Sequence, residues 1–219
     1  MTPDFERAAL AAAETLVKYR VSSAPVSPLS ILKQIPGVLV VSYQSMADDN
    51  ELDRSCVMDM FGKDNHDAFT SVNIKNGKPQ YLVTYNQRLS LVLAQRALAR
   101  ELGHIILGHD GSRPEEVRND EARCFANHLL SPRALINSIR SAGFPVTMEG
   151  LGNLTGCYEY CLSCMRRLPA THVPAELNRI IRDNFAPYVQ NFLGFWRVAT
   201  ESDCSALADF GSFMEGYEE

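Results

Sequence analysis

Residues 96 to 130 read RALARELGHIILGHDGSRPEEVRNDEARCFANHLL, and the rest of the chain is organised around them. Leu91, Val92, Gln95, Leu98, Ala99, Leu102, Ile105 and Ile106 recur at three and four residues, the period of a long, mostly buried helix ending near Gly108. A second helix opens at about Pro114, with Glu115 and Glu116 suited to its positive N-terminal end. Val117, Ala122, Phe125, Ala126, Leu129 and Leu130 carry its apolar positions as far as Pro132.

Toward the N-terminus, Phe5, Ala8, Ala9, Ala12, Leu16 and Val17 place one apolar stripe on a helix of about four turns. Ser27 and Pro28 read as an N-cap and first helical residue of a short helix through Leu32, which Pro36 and Gly37 end. A strand from Val38 to Tyr43 follows, then an acidic loop around Asp48 to Asp53. Apolar runs at Cys56 to Phe61, Ala68 to Ile74 and Gln80 to Tyr85 complete a small antiparallel sheet. Asn76-Gly77 between the last two is a hairpin signal, because both residues tolerate positive φ.

Toward the C-terminus, Ala134 to about Phe195 divides into shorter helices at Gly143, Pro145, Gly156, Pro169, Pro174 and Pro187. An acidic tail begins at about residue 209. The expected organisation is therefore an α+β domain over residues 1 to 132 and a helical region over 133 to 219 packed on it.

Composition excludes several classes. The 219 residues are 46% hydrophobic and 21% charged, an ordinary globular balance. A net charge of -5 gives no global basic field for nucleic acid or an anionic membrane, so direct nucleic-acid binding is not expected. No apolar run approaches the roughly 20 residues that cross a bilayer, and MTPDFERAAL lacks the basic cap and apolar core of a signal peptide. The expected compartment is cytoplasmic, with Cys56, Cys124, Cys157, Cys161, Cys164 and Cys204 as reduced thiols.

The chemistry lies in the helix pair. In an H-E-x-x-H helix, two histidines at i and i+4 share a face and bind Zn²⁺, and the glutamate activates the metal-bound water. Here Glu101 and His104 occupy the second and last positions, but Arg100 stands at the first. A guanidinium has no lone pair to give and stays protonated, so Arg100 cannot ligate zinc.

Leu98 to Pro132 closely resembles the ImmA/IrrE metallopeptidase family, with its A-H-E-L-G-H-x-x-L-x-H helix, polar loop and E-x-x-A-N-x-F-A-x-x-L-L-x-P helix. The hairpin ending in YLVTYN and the segment Leu151 to Leu168 resemble the family more loosely. About two-thirds of the chain is covered. The resemblance implies a zincin-like fold whose active members are cytosolic proteases that cleave helix-turn-helix repressors of phage or other mobile elements. It places Glu101 as the catalytic water-activating residue and His104 as the second metal ligand. Arg100 replaces the first ligand and Asn119 the glutamate expected as the third, while Arg123 stands where Asn or Asp is usual. Asn119 offers only a neutral carbonyl oxygen, a weak zinc donor. Asp120 and Glu121 lie about 100° and 200° around the helix from Asn119; either of them, Glu116 or His109 could substitute as ligand only after a shift of helix or loop.

Two functions follow. The first is a catalytically impaired or inactive metallopeptidase-like protein, without zinc or another cofactor, that binds a protein partner such as a helix-turn-helix repressor. The alternative is a zinc endopeptidase with a non-standard ligand set. On the first reading Arg100 points into the former metal cavity and pairs with Glu101, Glu116 or Asp120.

Other motifs have plainer explanations. Cys157, Cys161 and Cys164 match the C-x₃-C-x₂-C spacing of an iron–sulfur site, yet they also fall on one helical face as small core residues with Leu168. Met148 to Leu168, with Arg166 and Arg167, has the form of a weak helix-turn-helix. His109 is expected to cap helix carbonyls and His128 to be a satisfied or exposed side chain. Asp48, Asp49, Glu51 and Asp53 lack the spacing of a calcium loop.

Overall fold

The computed structural model describes residues 1–49, 67–144, 148–157, 161–163, 166–167 and 170–201. Helix α1 (Phe5–Lys18) begins where the Asp4 carboxylate accepts the Arg7 amide, and it buries Ala8, Ala9, Ala12, Ala13 and Leu16. Those small side chains let α1 lie against the second helix of the central pair. Helix α2 (Pro28–Leu32) starts as expected, with Ser27 Oγ accepting the Ser30 amide and proline in the first turn.

Strand β1 (Val38–Ser42) ends one residue earlier than the sequence suggested, and the chain turns directly into α3 (Tyr43–Asp49). The cause is local: Ser42 Oγ accepts the Ser45 amide at 3.0 Å, supplying a cap where an extended residue was expected. Asp48 and Asp49 thus lie on a helix, and Gln44 Nε2 donates to Asp48 at 2.7 Å. Glu51, Asp53 and the run Cys56 to Phe61 lie outside the described residues.

Strands β2 (Ala68–Lys75) and β3 (Lys78–Tyr85) pair antiparallel about the Asn76-Gly77 turn, whose φ angles of 53° and 71° suit a type I′ turn. β1 corrects the expected antiparallel sheet. It runs parallel to β3, with Val40 opposite Val83, so the sheet order β1-β3-β2 is mixed. A parallel pair needs a long crossover, and α3 with the residues after it supplies one. No turn signal in the sequence records that choice.

The central pair is α4 (Leu91–Ile106) and α5 (Glu115–Leu130). They approach closely because Gly103 has no side chain: a Cβ there would stand 3.0 Å from Phe125 Cδ1 and 3.2 Å from the Ala122 Cα. Helices α6 (Arg133–Ser141) and α7 (Met148–Thr155) follow. Helix α8 (Ala175–Glu201) then runs unbroken through Pro187, which was expected to divide it. Interior proline costs about 3 kcal/mol, but Pro187 is exposed while Phe185, Val189 and Phe192 bury the opposite face. Burying three large side chains offsets that cost.

One hydrophobic cluster runs from Ala8 in α1 to Phe192 in α8, taking in Leu102, Phe125, Leu129, Leu135 and Phe185. The fold is α+β, with the three-stranded sheet beside α4. Among the described residues, no helix is long and apolar enough to cross a membrane.

Candidate functional site

Helix α4 carries five polar residues among apolar ones, Gln95, Arg96, Arg100, Glu101 and His104, and the last three lie within about one and a half turns of each other. Glu101 is 6% exposed, and its Oε2 accepts the Thr70 hydroxyl of β2 at 2.7 Å. Burial pushes its carboxyl above the usual range, while Thr70 and Arg100 pull it back. Burial and the charge of Glu101 also raise the neighbouring Tyr43 phenol, so strand, α3 and α4 share one electrostatic environment.

Arg100 is about one-third exposed, and its Nη2 lies 4.0 Å from Glu101 Oε1. Of the three acids expected to face it, Glu101 does so at the outer limit of an ion pair. The other two do not: Glu116 is exposed, and Asp120 pairs with Arg123 at 3.2 Å. Arg100 instead lines a small space between α4 and α5, together with Arg96, Arg123, Asn127 and Asp67.

His104 has a different neighbourhood. Its Nδ1 is 2.9 Å from His109 Nδ1, and His109 Nε2 is 2.9 Å from Glu121 Oε2. Glu121, 1% exposed, also accepts the Asp4 amide at 2.7 Å and Arg113 Nη1 at 2.8 Å. Burial would raise its carboxyl, but these donors outweigh it and hold Glu121 below the usual range, as a carboxylate.

The chain of contacts assigns the protons. An ionised Glu121 only accepts, so His109 donates from Nε2. Burial holds His109 below its ordinary value and His104 at about 4, so both rings are neutral near pH 7. The His109 Nδ1 lone pair then accepts from His104 Nδ1, which leaves His104 Nε2 as a bare lone pair. This is how supporting groups orient a metal-ligating histidine.

The sequence missed this arrangement. His109 does cap a carbonyl, its amide donating to the His104 oxygen at 3.0 Å past Gly108 with φ 63°, and Arg7 Nη2 donates to the Leu107 carbonyl; what the sequence did not announce is the second role of the His109 ring. No short spacing links His109 to Glu121, because the intervening loop brings them together. Arg113 was the one available signal, a cation that needs an acid nearby.

These residues do not fit zinc. Arg100 has no lone pair, Asn119 is a neutral donor half-buried one turn before Arg123, and Glu121 is committed to His109, Arg113 and the Asp4 amide. One strong donor, His104, remains at the expected face.

The rival motifs resolve in part. Cys157 and Cys161 are buried with their Sγ atoms 3.6 Å apart, while Cys164, Leu168 and most of the proposed recognition helix lie outside the described residues. His128 is 7% exposed and satisfied by the Thr171 hydroxyl at 3.0 Å. Separately, α1, α6 and α8 enclose an open cavity of about 820 Å³ lined by alanines together with Arg133 and Arg182; nothing in the residue spacing announced it. Comparison with known proteins identifies no relative: no family model matches the chain, and neither does any curated protein or solved structure.

Proposed function

We propose that the chain is a metallopeptidase-like protein of the ImmA/IrrE type that no longer performs zinc chemistry and acts by binding a protein partner, such as a helix-turn-helix repressor. One observation carries this reading. The glutamate and second histidine of the helix pair are present and supported, while a guanidinium occupies the first ligand position and no acid of α5 replaces the third. A site that holds Glu101 and His104 but sets a guanidinium at the first ligand position favours recognition over hydrolysis.

Metal analysis of protein purified without chelator tests it. Wild type is expected to carry no zinc, and an Arg100→His, Asn119→Glu double variant to take up about one zinc per chain. About one zinc per wild-type chain would overturn the reading. A candidate repressor is further expected to co-purify with the chain or change its DNA affinity in the chain's presence.

A second reading, an active endopeptidase with Glu101 as general base, is favoured by the His104 Nε2 lone pair that His109 and Glu121 hold free. The same wild-type zinc measurement decides for it.

A further inference from the structure

We propose that the groove between α4 and α5 is a carboxylate-recognition site that takes an acidic side chain of a protein partner. Three arginines from two helices, Arg96, Arg100 and Arg123, line one small space, and Asp67 is the one acid among the lining residues. Asp120 bonds Arg123 at 3.2 Å and Glu101 stands 4.0 Å from Arg100. Those contacts occupy a small part of the five N–H donors that Arg100 and Arg123 each carry.

Asn127 supplies the independent observation. It is 1% exposed and lines the same space, yet neither its Nδ2 nor its Oδ1 has a hydrogen-bond partner. A buried amide left unpaired opposes folding. An acceptor entering between the arginines would use the idle Nδ2 donors.

Size and shape select the ligand. The space is about 30 Å³, enough for a head group and not for a whole nucleotide or peptide. Guanidinium forks match the planar, bidentate geometry of a carboxylate. Arg100 and Arg123 are partly exposed, 36% and 45% at their side chains, so a residue of another chain can reach them.

That the occupant belongs to a protein partner rests on the proposed function; the recognition of carboxylate stands on the arginines and Asn127 alone. The test measures fluorescence anisotropy at low salt with a labelled, end-blocked peptide containing two glutamates, beside its glutamine counterpart. Acetate and inorganic phosphate serve as competitors. The acidic peptide is expected to bind at least tenfold tighter, with acetate the better competitor. Arg100→Gln with Arg123→Gln should abolish the preference, Arg123→Lys should weaken it several-fold, and Asn127→Leu should weaken it while leaving the fold intact.

Equal binding of the two peptides, binding of neither, an unchanged preference in the double glutamine variant, or phosphate displacing the peptide more readily than acetate would overturn the proposal. Zinc in wild-type protein together with a retained acidic preference would remove the proposed function and leave this site standing.

Discussion

At the scale of single residues, the His104–His109–Glu121 chain is a buried polar network whose donors and acceptors are matched in sequence along it. Each ring in it has one assignable proton, and the carboxylate at its end is fixed by three donors, the Asp4 amide just before α1 and the His109 and Arg113 side chains of the loop between α4 and α5. Glu121→Gln removes the charge but keeps the shape, leaving Arg113 without its counter-ion. Breaking a buried pair on one side is strongly destabilising, and the expected loss is about 2–3 kcal/mol, read as a lower urea midpoint at unchanged m-value. An unchanged midpoint would show that the network orients His104 without holding the fold. Acid adds a second effect. His104 and His128 are held at about 4 by burial, below the ordinary 6.5. The unfolded chain therefore binds more protons than the folded one between pH 6.5 and 4, and stability falls as the pH drops through that window. Each histidine contributes on the order of 2–3 kcal/mol to that fall. His128→Gln keeps a partner for Thr171 and should flatten the acid slope measured by urea unfolding at pH 7 and 4.5; the same slope in the variant would assign it elsewhere.

At the scale of elements, the α4–α5 contact depends on one missing side chain. Alanine in place of Gly103 would gain about 1 kcal/mol of helix propensity, yet its Cβ would meet Phe125 and the Ala122 backbone at 3.0–3.2 Å. Phe125 is fully buried and backbone cannot yield, so overpacking by about 1–3 kcal/mol outweighs the gain. Gly103→Ala is expected to lower the thermal midpoint, and a higher one would mean that the helices can separate freely. The sequence did not announce this role of Gly103, but it was readable at the Ser27-Pro28 cap and the Asn76-Gly77 turn, where the determinant lies within a few residues. It failed where the determinant is distant. The direction of β1 is set by its crossover to β3, the continuity of α8 through Pro187 by the core it covers, and the partner of His109 by a residue on another helix. In the candidate site, Arg100, Glu101 and His104 were legible one residue at a time. Their neighbours Thr70 and Asn127 were not, and Glu121 was singled out only as a possible ligand and not as the partner of His109, because strand β2 and helix α5 reach the site only through folding.

At the scale of the whole molecule, the C-terminal helices and the helix pair share one hydrophobic cluster. Phe185 of α8 is fully buried, as are Leu135 of α6, Leu129 of α5 and Leu16 of α1, so no layer of water separates residues before and after position 132 in that core. Elements that share a core lose it together, which makes the described body a single cooperative unit. Phe185→Ala leaves a large cavity at the C-terminal side and should cost about 3–5 kcal/mol. The informative result is where that loss appears. Hydrogen exchange followed by peptide across a urea series should show α4, α5 and α8 losing protection at one midpoint in wild type, and the three midpoints should fall together in the variant. If α8 alone lost protection early while α4 and α5 kept theirs, the C-terminal helices would be a separate folding unit resting on the helix pair. The shared cluster argues against that, because removing α8 would expose Leu16 and Leu135 to water, and their hydrophobic contribution would be lost to the helices that remain.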